Sequence, residues 1–402
     1  MKIVIFNVRY SPNLGDSVLA ECLERRLGVS LPGAEIETLD LAGRTAYGIA
    51  DARRSGALRL LRAMPPPVRR MLVARVLGSR LAALRALWRG KIAGADAVVI
   101  GGGNLFQDDD LNFPLKIAQV LELCREENCP VAIHAVGVGR HWSRRAATLF
   151  DTLRTCNVLG VSVRDHGARQ NWEEHFPDWP SPNIAPDPAL TLRVEMHAMR
   201  DRARPLVGLC VTHPLVLRRH ASVSTQDIPL GTVQGYGALA EWLMDAGCDV
   251  VFFTNGAVED QACLEQIRNT LSRAKSRAPD RCSFAERPNT PQELIALLGT
   301  LDAVAAHRLH ACITAYALGV PPVGLGWDQK VESFFQLIGR EPFFVSAHKG
   351  DVEMIGERIL TTLGEGIDLD DRRQCIERAE KAIDGLAAEL KMTIRGSERE
   401  TA

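Results

Sequence analysis

Short apolar, β-branched runs recur along the chain, each followed by a longer stretch in which apolar residues return every third or fourth position. The first pattern marks strands buried on both faces and the second marks helices, and their alternation predicts parallel βαβ units. In the first half, strands are expected at Lys2–Phe6, Glu35–Leu39, Ala97–Ile100, Val131–Ala135 and Val158–Val163. Helices fall between them, for example at Ser17–Leu27 and Leu115–Glu126. The cycle restarts with strands at Leu206–Val211, Val250–Thr254, Cys282–Ala285, Ala303–Ala306 and Val323–Leu325. Helices there are expected at Gly235–Ala246, Glu259–Ser272, Pro291–Leu298 and Leu309–Leu318. A polar, charged stretch separates the two sets. The predicted fold is α/β, two Rossmann-like domains facing a central cleft: 1–192, a linker at 193–204, and 205–365. Residues 366–402 read as a C-terminal helix, amphipathic over Asp371–Met392, with a frayed tail.

A chain of 402 residues, 46 % hydrophobic and 24 % charged, suits two soluble domains with a core each. The ten cysteines form no CxxC and no zinc-type Cys/His spacing. Several sit inside apolar runs, as Cys210 and Cys312 do, so buried free thiols in a reducing compartment are expected. The N-terminus enters directly into a strand, and no apolar run reaches the roughly 18 residues of a membrane span. A cytoplasmic location is expected on that basis.

Charge changes this picture. The net charge is −1, yet between Asp51 and Lys91 ten Arg and one Lys face a single acid, a local net of +10. This basic helical insertion, about 50–92, includes a helix over Val68–Arg89. Periodicity puts Arg75, Arg85 and Arg89 on one side and Leu72, Val76, Leu84 and Leu87 on the other. It reads either as a solvated helix packed on its domain or, through 53–91, as an attachment to an anionic membrane surface, peripheral on the inner face. Nucleic acid is not expected, since few aromatics accompany the arginines.

The most informative stretch for chemistry is AHRLHACITAYALGVPPVGLGWDQK, residues 306–330. A strand ends there and a helix opens at once, which puts Arg308 and His310 at the sheet edge where open α/β folds bind ligands. Arg308 offers a planar fork for carboxylate or phosphate, and His310 can exchange a proton near neutral pH. The alternative is that Arg308 pairs with a buried acid and His310 with a backbone carbonyl. In VVIGGGNLFQDDD, residues 98–110, glycines after a strand let a ligand approach the backbone and Asn104 is a polar handle. A tight turn explains the same glycines. The segment lacks both GxGxxG and the P-loop lysine, so neither NAD nor ATP follows. Asp108, Asp109 and Asp110 read as a solvated loop rather than a metal site, and no metal is expected. Asp16 or Ser17 can cap the helix after the first strand, Arg164 ends another strand as a second candidate anion clamp, and Asp187 before Pro188 reads as a structural turn.

Taken together, NLGD (13–16), GGGNLF (101–106), SVRD (162–165), PDPAL (186–190) and HRLHACITAYALGVPPVGLGWDQK (307–330) resemble the polysaccharide pyruvyl transferase family, in the family's order. The resemblance implies a glycosyltransferase-B-like fold and the transfer of pyruvate from phosphoenolpyruvate to a sugar hydroxyl pair, closing a cyclic ketal. It implies donor contacts from Arg164, Arg308, Leu309, His310 and Lys330, with His310, Arg308 and Arg164 as the catalytic set. The first domain is then the acceptor side, with Asn13, Gly15, Asp16, Gly102, Gly103 and Asn104 as candidate contacts to a sugar or lipid-linked oligosaccharide. Phosphoenolpyruvate carries up to three negative charges, so two arginines with the helix dipole at Leu309 should hold it. No metal or organic cofactor is expected. The rival readings are a nucleotide-sugar glycosyltransferase of the same fold and a catalytically silent scaffold. No acid is obviously placed to hold a ribose, which leans against the first; intact Arg164, Arg308 and His310 lean against the second.

Overall fold

The computed structural model describes residues 1–48, 64–193, 202–220, 228–273, 279–347 and 350–400. Most of the expected linker, the 49–63 part of the basic insertion and the last two residues of the tail lie outside the described residues.

The first sheet is built from β1 (Lys2–Asn7), β2 (Glu35–Asp40), β3 (Ala97–Gly101), β4 (Val131–Val136), β5 (Val158–Val163) and β6 (Asn183–Ile184), in the order β2-β1-β3-β4-β5-β6. The second is built from β7 (Leu206–Cys210), β8 (Asp249–Phe253), β9 (Cys282–Phe284), β10 (Ala303–Ala306), β11 (Pro322–Leu325) and β12 (Phe344–Val345), in the order β12-β11-β10-β7-β8-β9. Every strand pair is parallel. The central strands β3, β4, β10 and β11 are buried along their whole length, because helices cover both faces and no polar alternation is tolerated. Each sheet reverses its winding once, between β1 and β3 and between β7 and β10, and the crevices at those reversals are where such folds bind ligands. The two-residue edge strands β6 and β12 carry too little sequence to be foreseen.

The two halves meet through an apolar contact of their own. Leu14, Val18, Leu19 and Cys22 of the helix Leu14–Ser30 join Leu309, Cys312 and Tyr316 of the helix Leu309–Ala317 in one buried cluster. The opposite side of the first helix, at Leu23 and Leu27, packs on β1 and β3. With both its sides covered, that helix cannot be amphipathic in the usual sense. The last helix, Leu369–Glu400, continues well past Met392 and straddles both halves. Cys375 and Ala379 join the interdomain cluster, whereas Ile383, Leu386, Ala387 and Leu390 close the first sheet's core over Ile3 and Ile5.

The basic helix spans Pro66–Ile92 and is seated by Trp88, which is fully buried edge-on to Phe6 at 5.4 Å. Its faces differ from the periodicity-based expectation. Leu87 is exposed, while Arg85 and Arg89 turn to Glu122, Glu126 and Glu127 at the end of the helix Asn112–Glu126, and Lys91 pairs with Glu37. A neighbouring row of acids, invisible to a single-helix projection, decides which way these arginines face. Arg75 and Arg80 remain exposed. Among the described residues no helix is long and apolar enough to cross a membrane.

Candidate active site

At the end of β10 the chain runs straight into the helix Leu309–Ala317, every residue of which is buried. His310, in the first turn, is thereby pushed against the first domain. A Cβ on Gly15 would lie 2.2 Å from the Cβ of His310, so only glycine lets the two halves close to this distance. Across the contact, His310 Nδ1 stands 3.1 Å from Asp16 Oδ1 and its Nε2 stands 3.3 Å from Asp187 Oδ2. Burial disfavours the imidazolium, but hydrogen bonds to Asp16 and Asp187 outweigh it and raise the His310 pKa to about 9. Asp16 moves the other way: burial opposes its charge, yet the His310 partner keeps its pKa below the ordinary carboxylate value. The ring is therefore a cation at neutral pH, flanked by two carboxylates.

Arg164, which follows β5, extends this row. Its Nη1 is 3.9 Å from Asp187 Oδ2 and its Nε donates to Asp165 Oδ2 at 3.2 Å. Asp165 also caps the helix His166–His175 by accepting from the Ala168 N–H at 2.8 Å. A Cβ on Gly137 would fall 2.8 Å from Arg164 Nη2 and 2.5 Å from Asn104 Oδ1, so a bare backbone at the end of β4 lets these two side chains converge. Arg308 sits at the crevice between β7 and β10. Its Nε and Nη2 donate to Asp260 Oδ2 at 3.0 and 2.5 Å, and Asp260 Oδ1 accepts from the His213 N–H. Asp260 is fully buried, in the first turn of the helix Val258–Arg273. Burial works against the Arg308 charge, and Asp260, with a further contribution from Asp16, more than restores it.

A cleft of about 740 Å³ opens between the strand ends of the two halves. Of the sequence-derived candidates, Asn104, Arg164 and Lys330 line it. Lys330 Nζ is 2.9 Å from Asp328 Oδ2 and 4.8 Å from the centre of the Trp327 ring, whose indole N–H donates to the His307 carbonyl. Arg308, Leu309 and His310 lie behind this opening, at the domain contact. Asn13 accepts from Asn255 Nδ2 at 3.3 Å across the same contact, next to Gly15 and Asp16. Gly102 is packed against Leu19, where a Cβ would fall 2.0 Å from its Cδ2, whereas Gly103 has open space around its α carbon. The acids after the glycines are not a solvated loop. Asp108 accepts from Leu111 N–H and Ser143 N–H, and Asp109, Asp110 and Leu111 are consecutive left-handed residues. Among the described residues no group of three or more His, Cys, Asp or Glu side chains is placed to hold a metal ion.

Sequence reasoning passed over two members of this arrangement. Asp187 does form the expected turn, accepting from the Ala189 N–H at 3.0 Å, but its second oxygen lies between His310 and Arg164. Asp260 resembled an ordinary first-turn helix acid. Its position after β8, at the same sheet edge as Arg308, was the available signal.

A model of the family described as polysaccharide pyruvyl transferase matches residues 13–329. A search of curated proteins by sequence finds no match. Among solved structures, the UDP-N-acetylglucosamine 2-epimerase from Rickettsia bellii superposes with a TM-score of 0.52 at 8 % identity, covering 98 % of this chain and 96 % of the other. The α,α-trehalose 6-phosphate synthase from Burkholderia multivorans gives a TM-score of 0.51 at 12 % identity, covering 100 % and 98 %. These likenesses establish the glycosyltransferase-B-like fold.

Proposed function

The chain belongs to the polysaccharide pyruvyl transferase family, and on that premise we propose that it transfers pyruvate from phosphoenolpyruvate to a pair of sugar hydroxyls, forming a cyclic ketal in surface or exopolysaccharide assembly. The observation that carries this reading is the His310 imidazolium at the domain contact, linked through Asp187 to Arg164 and two residues after Arg308 of the buried Arg308–Asp260 pair. A protonated ring with two fixed carboxylates is an acid rather than a base at neutral pH. In the proposed step the donor reaches in from the cleft to Nδ1, on the partly exposed Asp16 side of the ring. His310 delivers that proton to the methylene carbon of phosphoenolpyruvate, a sugar hydroxyl adds to C2, and the neutral ring takes up that hydroxyl's proton. The second hydroxyl then displaces phosphate, which carries off that hydroxyl's proton while Arg164 and Arg308 stabilise its leaving charge. The Leu309 end of the buried helix adds its dipole, and Lys330 reaches the donor from the cleft wall. The acceptor enters from the first domain, past Asn104 and the 101–104 turn. No metal or organic cofactor takes part in this scheme.

The test is incubation with phosphoenolpyruvate and a panel of galactose-, glucose- and mannose-terminated acceptors, following phosphate release and product mass, with Arg308→Ala and His310→Ala as controls. Acceptor-dependent release with the mass gain of a pyruvate ketal, lost in both variants, is the expected result. If millimolar phosphoenolpyruvate neither reacts nor raises the melting temperature, the donor assignment fails and a nucleotide-sugar donor becomes the better reading.

Because such acceptors are often lipid-linked, the proposal extends to docking of the 53–91 segment on an anionic inner-membrane surface. Support comes from the exposed Arg75 and Arg80 on a helix that also exposes Val68 and Met71. Sedimentation with anionic liposomes should show binding at low salt that Arg75→Glu with Arg80→Glu weakens; equal pelleting of both proteins would remove the idea.

A further inference from the structure

Asp187 is 1 % exposed, and its position is over-determined. Pro186 and Pro188 restrict the backbone around it, and Oδ1 is held by the Ala189 N–H. Oδ2 is left facing two cations, His310 Nε2 at 3.3 Å and Arg164 Nη1 at 3.9 Å. A turn alone does not require this charge, since a neutral Asn can accept the same Ala189 N–H. A carboxylate buried to this degree is costly unless a cation compensates it. The explanation for an acid at this position therefore lies on the Oδ2 side.

The other charged groups near His310 have narrower duties. Asp16, from the helix Leu14–Ser30, meets Nδ1 and is partly exposed. Arg44 contributes to Asp16 only at a distance. Arg308, two residues earlier, is held by Asp260, and Asp165 holds the Nε edge of Arg164. Asp187 alone among these groups faces both His310 and the first domain's arginine.

We propose that Asp187 is a positioning residue of the transfer reaction, fixing the His310 imidazolium and the Arg164 guanidinium in one geometry toward a shared anionic donor. This rests on the pyruvyl-transfer reading of the site. Arg164 follows β5 and His310 follows β10, on different sheets, so a bridge that belongs to neither strand sets their separation directly. The same carboxylate keeps the imidazole protonated, so its removal should act on the proton-dependent step as well as on alignment.

The test uses Asp187→Asn in the full chain, which preserves the side-chain shape and the acceptor for the Ala189 N–H while removing the charge. The kcat for phosphate release should fall about 100-fold, the effect of a misplacement of about 1 Å at the chemistry. The alkaline limb of kcat should move at least one pH unit toward neutrality. KM for phosphoenolpyruvate should change much less than kcat. A purely structural turn would lower the melting temperature and leave the pH limb in place. If Asp187→Asn does not fold, the wild-type protein still decides. With 15N-labelled histidine and His310→Gln for assignment, the His310 ring should titrate well above an ordinary histidine, and a neutral ring at pH 7 overturns the inference. So does an Asp187→Asn protein with kcat within twofold of wild type and an unmoved limb. If wild type releases no phosphate with any acceptor, the transfer reading fails on its own, whereas the His310 titration in the two proteins still reports on the Asp187 link.

Discussion

Replacing Gly15 with alanine sets two opposed effects of known size against each other. Within a helix, alanine is favoured over glycine by up to ~1 kcal/mol. Gly15 lies in the first turn of Leu14–Ser30, so taken alone the change should be neutral to stabilising. The added Cβ, however, would sit 2.2 Å from His310 Cβ and 3.0 Å from its Cγ. Carbon–carbon contacts become comfortable near ~3.5 Å, so the two halves must separate by more than ~1 Å or His310 must leave its place between Asp16 and Asp187. Overpacking of this kind costs about 1–3 kcal/mol. The net loss is then at most ~3 kcal/mol, a fall of up to about 3–4 °C in the melting temperature of a chain of 402 residues. Activity should suffer more, because a displacement of about 1 Å at the chemistry can cost ~100-fold. Gly28→Ala, in the same helix but meeting only Ile36 at 3.9 Å, is the control and should be slightly stabilising. Thermal unfolding and phosphate release on the two variants read both parts. A Gly15→Ala protein that melts higher than wild type and turns over at the wild-type rate would refute the close contact, and with it the placement of His310.

Three further outcomes follow from the ion pairs. His310 is raised to about 9 in the folded chain, so its stabilising contribution is fully present below its unfolded value near 6.5 and is lost as pH rises through 9; the melting-temperature gap between wild type and His310→Gln should therefore narrow between pH 7 and 9.5. Asp260→Asn strands the Arg308 guanidinium in a buried site and should cost about 3–5 kcal/mol in chemical denaturation; a change below 1 kcal/mol would mean that Arg308 finds another partner. Arg164, Arg308 and His310 are already matched by Asp16, Asp165, Asp187 and Asp260, so a multiply charged donor should bind with proton uptake. Calorimetry at pH 7 in two buffers of different ionisation enthalpy measures this, and identical heats would exclude it.

The sequence was most legible where a strand is buried on both faces. AVVI at β3 and AVAA at β10 can hardly be other than internal strands between glycines and helices. Helix starts were less visible: Leu14–Ser30 begins before Ser17, and QKVESFFQL, the helix Gln329–Leu337, was hidden behind the Gly-Trp-Asp loop that caps it. Candidate donor residues could be chosen by type and edge position, but their partners could not. Asp187 and His310 are 123 residues apart, and Asp260 and Arg308 are 48 apart, so nothing local ties either pair together. The same blindness misassigned the faces of Pro66–Ile92. A projection onto one helix cannot contain Glu122 and Glu126 on another.

The helix Leu369–Glu400 bears on how the chain comes to be folded during synthesis. Ile3, Ile5, Leu23 and Leu27 belong to the earliest part of the polypeptide, yet the side chains that cover them, Ile383, Leu386 and Leu390, are made after the whole second sheet. A ribosome adding about 5–20 residues per second leaves that apolar face open for roughly 20 s or longer. The first sheet must therefore wait, half finished, for the second to be completed. Exposed surface of this kind is what chaperones bind, and removal of residues from 380 onward should expose it permanently and send the truncated chain into aggregates.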